Sequence, residues 1–371
     1  MRLLLLTIDF PPAAGGVQQL LSKLAEGLAA DHDVCVLTRG QYGDHGWDAD
    51  RRYAIRRAWA TPFARVNLLL MSICALAQIV FRSPDVIICG HVLFGPLCRL
   101  IHAMARIPYV AMAYAYEIRA PRMQRVAGWA LRGADVVVTI SEFSRQAVLA
   151  HDVAPQRVVV ILPGPAVTAP AGGRSPGKPR ADVDGKVLLS VSRLVERYKG
   201  HDMVLRALPL VRAKVPQAHY VIVGSGWLKP YLERLAASLG VRNAVTFVSD
   251  ADDEEVAAWY ERCDLFILVS RESAASGGAE GYGIVFTEAN AFGKPVIGGR
   301  SGGIPDAVLD GVTGLLVSPS DVGEIAEAII RLMEDKVFAL RLGAEGRRRA
   351  LEDLSSTRYV ERFDQVLRAI P

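Results

Sequence analysis

Short apolar runs rich in β-branched residues alternate with longer amphipathic stretches along most of the chain. Such runs are typical of buried parallel strands, and the stretches between them have the apolar spacing of helices. In the first half the predicted strands are 3–8, 34–38, 86–90, 109–114, 136–140 and 158–162. The predicted helices there are 16–30, 66–81, 95–106, 121–132 and 142–150. This alternation indicates a parallel sheet with helices on both faces.

The composition changes over residues 163–185, which are dense in proline and glycine and indicate a domain boundary. The alternation then resumes, with predicted strands at 186–191, 219–223, 245–248, 265–269 and 295–298. The predicted helices are 201–215, 228–239, 252–262 and 285–293, with more after residue 320. The expected organisation is a first domain over 1–168, a linker over 169–185, a second domain over 186–355 and a last helix over 356–371.

Two domains agree with the length of 371 residues, because one hydrophobic core rarely grows past about 250–300 residues. The predicted class is α/β, with two doubly wound, Rossmann-like parallel sheets in tandem. Ligands of such sheets bind outside the carboxyl ends of the strands. We therefore expect the functional site in a cleft between the two domains.

The formal net charge of +4 is unevenly distributed. Residues 1–168 contain 17 Lys and Arg against 12 Asp and Glu, whereas the remainder contains 26 against 27. Five arginines of the first half lie close together: Arg51, Arg52, Arg56, Arg57 and Arg65. They form either a solvated basic face or a surface for anionic lipid or a phosphorylated acceptor. No motif or basic stripe interleaved with aromatics points to nucleic acid.

Two apolar segments bear on where in the cell the protein is located. The run at residues 3–8 is too short for the core of a signal peptide, and residues 66–81 fall short of a spanning helix. A buried core helix is the favoured interpretation of 66–81, and a helix lying against a membrane is the alternative. The five cysteines are odd in number and form no Cys-x-x-Cys, which is typical of free thiols in a reducing compartment. A cytoplasmic protein, with possible contact at the inner face of the membrane, is expected.

Two loops offer groups for an anion. Gly15-Gly16 follows the first strand and opens a helix, so backbone amides there can approach a ligand, although a merely tight turn is the alternative. Arg193 ends a strand and Lys199 follows shortly after. Two cations at the mouth of a sheet suit a diphosphate, on which negative charge grows as the bond to the leaving group breaks. Solvated surface cations are the alternative.

Gly224 and Gly226 follow another predicted strand and favour a turn beside a nucleotide. A dinucleotide fingerprint would continue with glycine at 229, where this chain has Lys229, which weakens the interpretation as an NAD enzyme.

The most informative segment contains Glu280 and Glu288, eight positions apart. Glu280 lies in a glycine-rich loop after the strand 265–269, and Glu288 lies about one turn inside the following helix. One carboxylate could accept hydrogen bonds from a sugar and the other from a ribose. The free amides of the helix start point to the same place.

Glu280 and Glu288, the segment Glu-Ala-Asn-Ala-Phe-Gly-Lys-Pro-Val that begins at Glu288, and Gly302-Gly303-Ile304-Pro305-Asp306 together resemble family 4 glycosyltransferases. The resemblance runs from Gly15-Gly16 to the last helix. It implies the GT-B fold, with two facing Rossmann-like domains and a final helix that crosses back to the first. These enzymes transfer a hexose, of mannose or glucose type, from a UDP- or GDP-sugar to an acceptor hydroxyl with retention of configuration. The acceptor can be a small molecule, a lipid-linked group or a polysaccharide.

The resemblance also implies residue roles. Arg193 and Lys199 would hold the diphosphate, Glu280 would contact the donor sugar and Glu288 would bind the ribose. Gly16 would lie by the donor phosphates or the acceptor. The remaining donor contacts would be Gly224 and the backbone of Gly283, Ile284 and Val285. Retention is explained in such enzymes by front-face attack, in which the leaving phosphate helps to take the acceptor proton, so that no protein nucleophile is required.

One stretch departs from the family pattern. Many relatives have a His-Gly pair after the fourth strand, where this chain reads Ala113-Tyr114-Ala115-Tyr116-Glu117. A tyrosine hydroxyl can hydrogen-bond a sugar but is a poor base at neutral pH. Tyr114, Glu117 and the nearby His91 are therefore the candidate contacts to the acceptor or sugar, with a structural role for His91 as the alternative.

Asp250-Ala251-Asp252 has the form of a metal-binding Asp-x-Asp, but it precedes a helical run, and acidic residues there favour the start of a helix. We predict a helix cap and catalysis without metal or other cofactor. The alternatives to a glycosyltransferase are an epimerase or phosphorylase with the same two-domain fold, and a homologue that binds nucleotide sugar without turnover.

Overall fold

The computed structural model describes residues 1–13, 15–41, 44–121, 123–168, 177, 179–181, 183–273 and 277–370, apart from the side chains of 45 and 116. Most of the predicted linker 169–185 lies outside the described residues. The chain forms two compact units. The first comprises Met1–Pro163 with Ser356–Pro371, and the second comprises Gly164–Ser355.

The first unit is built on a parallel sheet in the order β3-β2-β1-β4-β5-β6-β7. Its strands are β1 (Arg2–Leu6), β2 (Asp33–Arg39), β3 (Ala54–Ala58), β4 (Val86–Cys89), β5 (Tyr109–Ala113), β6 (Val136–Thr139) and β7 (Val158–Val160). Its helices include α1 (Gly16–Leu28), α2 (Asp44–Ala49), α3 (Ala64–Arg82), α4 (Gly95–Ala105), α5 (Tyr116–Arg119), α6 (Gln124–Gly133) and α7 (Glu142–Leu149).

The second unit repeats the plan with a parallel sheet in the order β10-β9-β8-β11-β12-β13. The strands are β8 (Lys186–Val191), β9 (Ala218–Val223), β10 (Val245–Val248), β11 (Leu265–Leu268), β12 (Val296–Gly299) and β13 (Gly314–Val317). The helices are α8 (His201–Lys214), α9 (Lys229–Ser238), α10 (Asp253–Arg262), α11 (Ile284–Ala291), α12 (Ile304–Ala307), α13 (Val322–Glu334) and α14 (Lys336–Arg348). The predicted α/β class with two Rossmann-like parallel sheets is confirmed.

The strand order gives each sheet one point where the winding reverses. In the first sheet the chain runs from β1 through β2 to the edge strand β3, and then returns to β4 on the other side of β1. In the second it runs from β8 through β9 to β10 and returns to β11 beside β8. Since ligands of doubly wound sheets bind at the carboxyl ends of the strands that flank this reversal, β1 with β4 and β8 with β11 define the two candidate locations.

The last helix, α15 (Ser356–Arg368), belongs to the first unit, where it packs against α1. A Cβ on Gly27 would meet Val360 Cγ2 at 2.5 Å, so glycine allows the two helices to approach closely. His32 Nε2 lies 2.7 Å from Asp364 Oδ1 and adds a polar contact.

Helix α3 corrects the interpretation of residues 66–81 as a buried core helix. Only Met71 and Ala75 are buried along its length. The opposite stripe is apolar and exposed, with residues spaced three and four positions apart: Val66, Leu69, Ile73, Leu76 and Val80. By length and composition α3 could also cross a membrane. Only 11% of its most apolar 18-residue stretch is buried, unlike the core helix of a soluble protein. The helix thus packs one narrow face on the sheet and leaves a second apolar face uncovered in this unit.

Candidate functional site

An ion pair lies at the winding reversal of the second sheet. Lys199 is in the turn after β8, and Glu280 is in the loop after β11. Lys199 Nζ lies 2.7 Å from Glu280 Oε2, and each side chain is only 15% exposed. Burial alone would lower the pKa of the Lys199 ammonium, but the Glu280 carboxylate together with Tyr198 and Glu196 outweighs this effect, so that the pKa is raised. A fixed, charged lysine thus faces the edge of the sheet where a ligand is expected.

The turn that carries Lys199 is fixed by the end of β11. Gly200 has φ +82°, and a Cβ there would meet the Val269 carbonyl oxygen at 2.2 Å, so the position requires glycine. The backbone N–H of Arg271 donates to the carbonyl of Tyr198 at 2.8 Å. The Arg271 guanidinium also donates two bonds of 3.1 Å to Asp202, at the start of α8.

A buried hydrogen-bond relay, which the sequence did not suggest, connects the strand that precedes Arg193 to the same turn. Ser190 Oγ donates to the Ile267 carbonyl and accepts from the Tyr220 hydroxyl at 2.9 Å. Tyr220 then accepts from His201 Nδ1 at 2.9 Å, which leaves Nε2 to accept from Ser192 Oγ at 2.7 Å. Burial lowers the pKa of His201 to about 4, so the ring is neutral at neutral pH. The relay ties the neighbour of Arg193 to the helix that begins after Lys199.

Arg193 itself has a different environment from Lys199. Its side chain is 66% exposed, and Nη2 lies 3.1 Å from Glu196 Oε1. It follows β8 and therefore lies at the predicted edge of the sheet, but the structure pairs it with a neighbour in its own loop. Its contact with a diphosphate stays a prediction.

Gly224 allows the two loops after β8 and β9 to touch. It has φ +145°, and a Cβ there would meet the Ser192 carbonyl oxygen at 1.9 Å. The N–H of Leu194 donates to the Ser225 carbonyl at 2.9 Å across the same contact. Close packing of protein backbone accounts for this glycine, and its predicted donor contact is not tested.

The glycine-rich loop delivers Glu280 and then opens α11. Gly283 is the N-cap residue with φ +94°, and no side chain caps this helix among the described residues. The first amides of a helix, here at Ile284 and Val285, have no partner within the helix and can bind a ligand. The Glu280 carbonyl accepts from the N–H of Gly303 at 2.8 Å, so the Gly302-Gly303 turn holds the loop in place.

Glu288 lies on α11, as predicted, and is buried. The Tyr260 hydroxyl donates to Oε2 at 2.8 Å, and the N–H of Val167 donates to Oε1 at 3.3 Å. Burial raises the pKa of Tyr260, and the Glu288 carboxylate raises it further. The phenol therefore stays protonated and acts as the hydrogen-bond donor. The contact of Glu288 with a ribose stays a prediction.

At the winding reversal of the first sheet, Asp9 follows β1 and His91 follows β4. His91 Nδ1 accepts from the N–H of Leu93 at 3.2 Å, and Nε2 lies 3.8 Å from Asp9 Oδ2. Burial lowers the pKa of His91, and the Asp9 charge opposes this only in part. Helix α1 begins beside them at Gly16, after Gly15, and Gln18 Nε2 donates to Asp9 Oδ1 at 3.1 Å.

Tyr114 and Glu117 are both buried. The Tyr114 hydroxyl donates to the Gly90 carbonyl at 3.1 Å. Glu117 accepts from the backbone N–H of Tyr114 at 2.6 Å and of Ala115 at 3.4 Å. Burial raises the pKa of both side chains. In this arrangement they stabilise the turn after β5, and their predicted contacts with a substrate stay untested.

Asp252 is a helix cap, which confirms the interpretation of the Asp-x-Asp segment. Its side chain accepts from the N–H of Glu255 at 2.8 Å at the start of α10. Among the described residues, no group of three or more His, Cys, Asp and Glu side chains could hold a metal ion.

Comparison with known proteins identifies the family. Residues 15–164 match the model described as "Glycosyl transferase 4-like domain", and residues 174–349 match "Glycosyl transferases group 1". The chain is 34% identical over 370 residues to a GDP-mannose-dependent alpha-(1-6)-phosphatidylinositol monomannoside mannosyltransferase of Mycolicibacterium smegmatis, covering 95% of this chain and 94% of the relative. It is 32% identical over 268 residues to a D-inositol 3-phosphate glycosyltransferase of Mycobacterium bovis, covering 68% and 51%.

The solved structure of Anabaena HepE with UDP superposes with a TM-score of 0.81 at 20% identity and full coverage of both chains, which supports the fold. Both units therefore match glycosyltransferase models, and a relative matches over nearly the whole chain. The chain belongs to the family 4 glycosyltransferases of the GT-B fold.

Proposed function

We propose that this glycosyltransferase transfers mannose from GDP-mannose to a hydroxyl of a lipid-linked acceptor of the phosphatidylinositol mannoside class, with retention of configuration and without a metal. The relative from Mycolicibacterium smegmatis, which matches over 95% of this chain, supports this donor and acceptor. The observation that carries the proposal is the Lys199–Glu280 pair beside the start of α11. It offers charge, amide donors and a carboxylate at the sheet edge where a nucleotide sugar would bind.

In the proposed reaction each group has a defined task. Lys199 and Arg193 stabilise the negative charge that grows on the leaving diphosphate, together with the amides at the start of α11. Glu280 accepts hydrogen bonds from the mannose hydroxyls and keeps Lys199 in place. Glu288 accepts from the ribose. The acceptor oxygen attacks the face from which the diphosphate departs, and a phosphate oxygen takes the acceptor proton, so that configuration is retained.

A lipid acceptor requires the enzyme to meet a membrane, and α3 supports this. Its exposed stripe of Val66, Leu69, Ile73, Leu76 and Val80 is wholly apolar. The segment 51–84 around it contains six arginines and no Asp or Glu. Arg52, Arg57 and Arg82 pair with acidic residues of other segments. Arg51, Arg56 and Arg65 are the other three. An apolar helix face flanked by cations suits the surface of an anionic bilayer. The proposed location is therefore cytoplasmic and at the inner face of the membrane.

The test of the catalytic proposal is a transfer assay with GDP-mannose, UDP-glucose and UDP-galactose as donors and phosphatidylinositol monomannoside vesicles as the acceptor. We expect transfer from GDP-mannose alone, an α-anomeric product by NMR, and no effect of EDTA. Glu280→Gln should lower kcat by about 10²–10³-fold, as expected for a group that orients charge in the transition state. Glu272→Gln, an exposed carboxylate of the same loop, is the control. Transfer from a UDP-sugar, or a Glu280→Gln variant with wild-type kcat, would overturn this assignment.

Membrane contact is tested separately by sedimentation with anionic phospholipid vesicles at low salt. The double substitution Leu69→Gln and Leu76→Gln should release the protein from the vesicles, whereas Leu210→Gln, an exposed leucine of the second unit, should not. Wild-type protein that stays in solution would contradict the membrane proposal and would leave the catalytic one standing.

A further inference from the structure

The winding reversal of the first sheet carries a pair of polar side chains to which the reaction above gives no task. Asp9 lies just after β1 and His91 just after β4, and these strands are neighbours in the sheet. Their side chains are 32% and 13% exposed, so both are held in place and both remain reachable from solvent. The location is the one where a doubly wound sheet binds its ligand.

The hydrogen bonds around His91 determine where its proton is. Nδ1 accepts from the backbone N–H of Leu93, so the neutral ring must carry its hydrogen on Nε2. Nε2 is therefore a donor. It cannot act as a base, because it already holds a proton.

Asp9 is fixed on its other sides. Oδ1 accepts from Gln18 Nε2 at 3.1 Å, and the backbone N–H of Asp9 donates to Thr7 Oγ1 at 3.0 Å. The separation of 3.8 Å between Oδ2 and His91 Nε2 is too long for a hydrogen bond. One hydroxyl oxygen can nevertheless lie about 2.8 Å from both atoms. A donor and an acceptor so arranged match the two capacities of a hydroxyl group.

We propose that Asp9 and His91 form an acceptor-binding pair that holds one hydroxyl of a neutral polyol or sugar ring. The hydroxyl donates to Asp9 Oδ2, and its oxygen accepts from His91 Nε2–H. This inference rests on the proposed function, since it gives that reaction a place for its acceptor. The nearby Tyr114 hydroxyl is buried and already donates its hydrogen to the Gly90 carbonyl, so in this arrangement it does not supply the donor that His91 supplies.

The test uses Asp9→Asn and His91→Asn in the full chain, with acceptor kinetics at saturating GDP-mannose and GDP affinity by calorimetry. Asparagine at 91 keeps an oxygen that can cap the following turn but removes Nε2–H. We expect each single variant to lose about 10–100-fold in kcat/KM for the acceptor, as for a hydrogen bond involving a charged group. GDP affinity should stay within about 2-fold of wild type, a separation that a general loss of structure would not give. Asp50→Asn, an exposed carboxylate of the same unit, is the control.

The double variant supplies the second criterion. Because the two side chains hold the same hydroxyl, the fold-loss of acceptor kcat/KM in the double variant should be smaller than the product of the two single fold-losses. Single variants with wild-type acceptor kcat/KM, an equal loss of GDP affinity, or strictly multiplicative effects would each overturn the acceptor-binding pair while the proposed function stands. A wild-type enzyme that transfers hexose to no hydroxyl acceptor would refute the proposed function, and the pair would fall with it.

Discussion

Replacing Lys199 by methionine should destabilise the second unit, and replacing Glu280 by glutamine as well should restore most of the loss. The two groups are 2.7 Å apart and only 15% exposed, so the single substitution leaves a carboxylate in a poorly hydrated place without its cation. Breaking a fully buried pair costs about 3–5 kcal/mol, and the residual exposure brings our expectation to about 2–4 kcal/mol. Removing both charges avoids the unpaired carboxylate, so the double variant should lie within about 1 kcal/mol of wild type.

Differential scanning calorimetry measures this effect. For a unit of this length, 1 kcal/mol corresponds to about 2–4 °C, so Lys199→Met should lower the Tm by about 4–16 °C. Because the pKa of Lys199 is raised in the folded state, its stabilising contribution is complete below the unfolded value of about 10.4 and declines only as the pH rises through the higher folded value. Both variants should lose GDP affinity and transfer. A Tm of Lys199→Met within 2 °C of wild type, or a double variant as unstable as the single, would refute the reasoning.

Three further predictions concern the second unit. Glu288→Gln should weaken GDP binding, measured by calorimetry, about 10-fold or more. Tyr260→Phe removes only a hydrogen-bond donor to the Glu288 carboxylate and should weaken GDP binding less. Unchanged affinity in Glu288→Gln would contradict the ribose role. Transfer should keep its rate in EDTA, and a loss that Mg²⁺ or Mn²⁺ restores would show that a metal takes part. The pKa of His201 is lowered to about 4 in the folded protein, whereas an unfolded histidine has a pKa of about 6.5. As the pH falls, the unfolded protein therefore takes up a proton before the folded protein does. The free energy of unfolding should fall by about 3 kcal/mol between pH 6.5 and pH 4. Chemical denaturation should show this fall in wild type and a flatter profile in His201→Gln, and equal profiles would refute the assignment.

The class of fold was predictable because buried parallel strands are nearly continuous apolar runs, which stand out in a single sequence. The two strands that the sequence did not predict are both edge strands. β3 reads Ala-Ile-Arg-Arg-Ala, and its two arginines interrupt the apolar run that is typical of a buried strand. The structure accommodates Arg57 there because its guanidinium binds Asp48 at 2.7 Å. β13 has four residues and begins with glycine. The exposed face of α3 could not be predicted either, because composition says which residues are apolar but not which of them find a partner.

The candidate site could be predicted as a set of positions but not as a set of contacts. Lys199 and Glu280 were both expected at strand ends, yet they are 81 positions apart. Their pairing depends on β11 lying beside β8, a fact of strand order that no local pattern contains. Asp9, the residue that follows the apolar run at residues 3–8, was not among the predicted site residues. The useful signal would have been a carboxylate directly after the first strand of a doubly wound sheet, where the reversal places it.

The two units show how the same topology acquires different chemistry. After its first strand, the second unit presents Arg193 and then Lys199, cations that suit a diphosphate. After its first strand, the first unit presents Asp9, whose Oδ2 lies 3.8 Å from His91 Nε2. A carboxylate in that place would repel a diphosphate and accept a hydroxyl, so the residue that follows the strand, and not the fold, would select which substrate each sheet receives. Asp9→Lys should accordingly abolish transfer to the hydroxyl acceptor without giving the first unit a nucleotide site, because the Glu280 loop and the start of α11 that would complete such a site lie in the second unit.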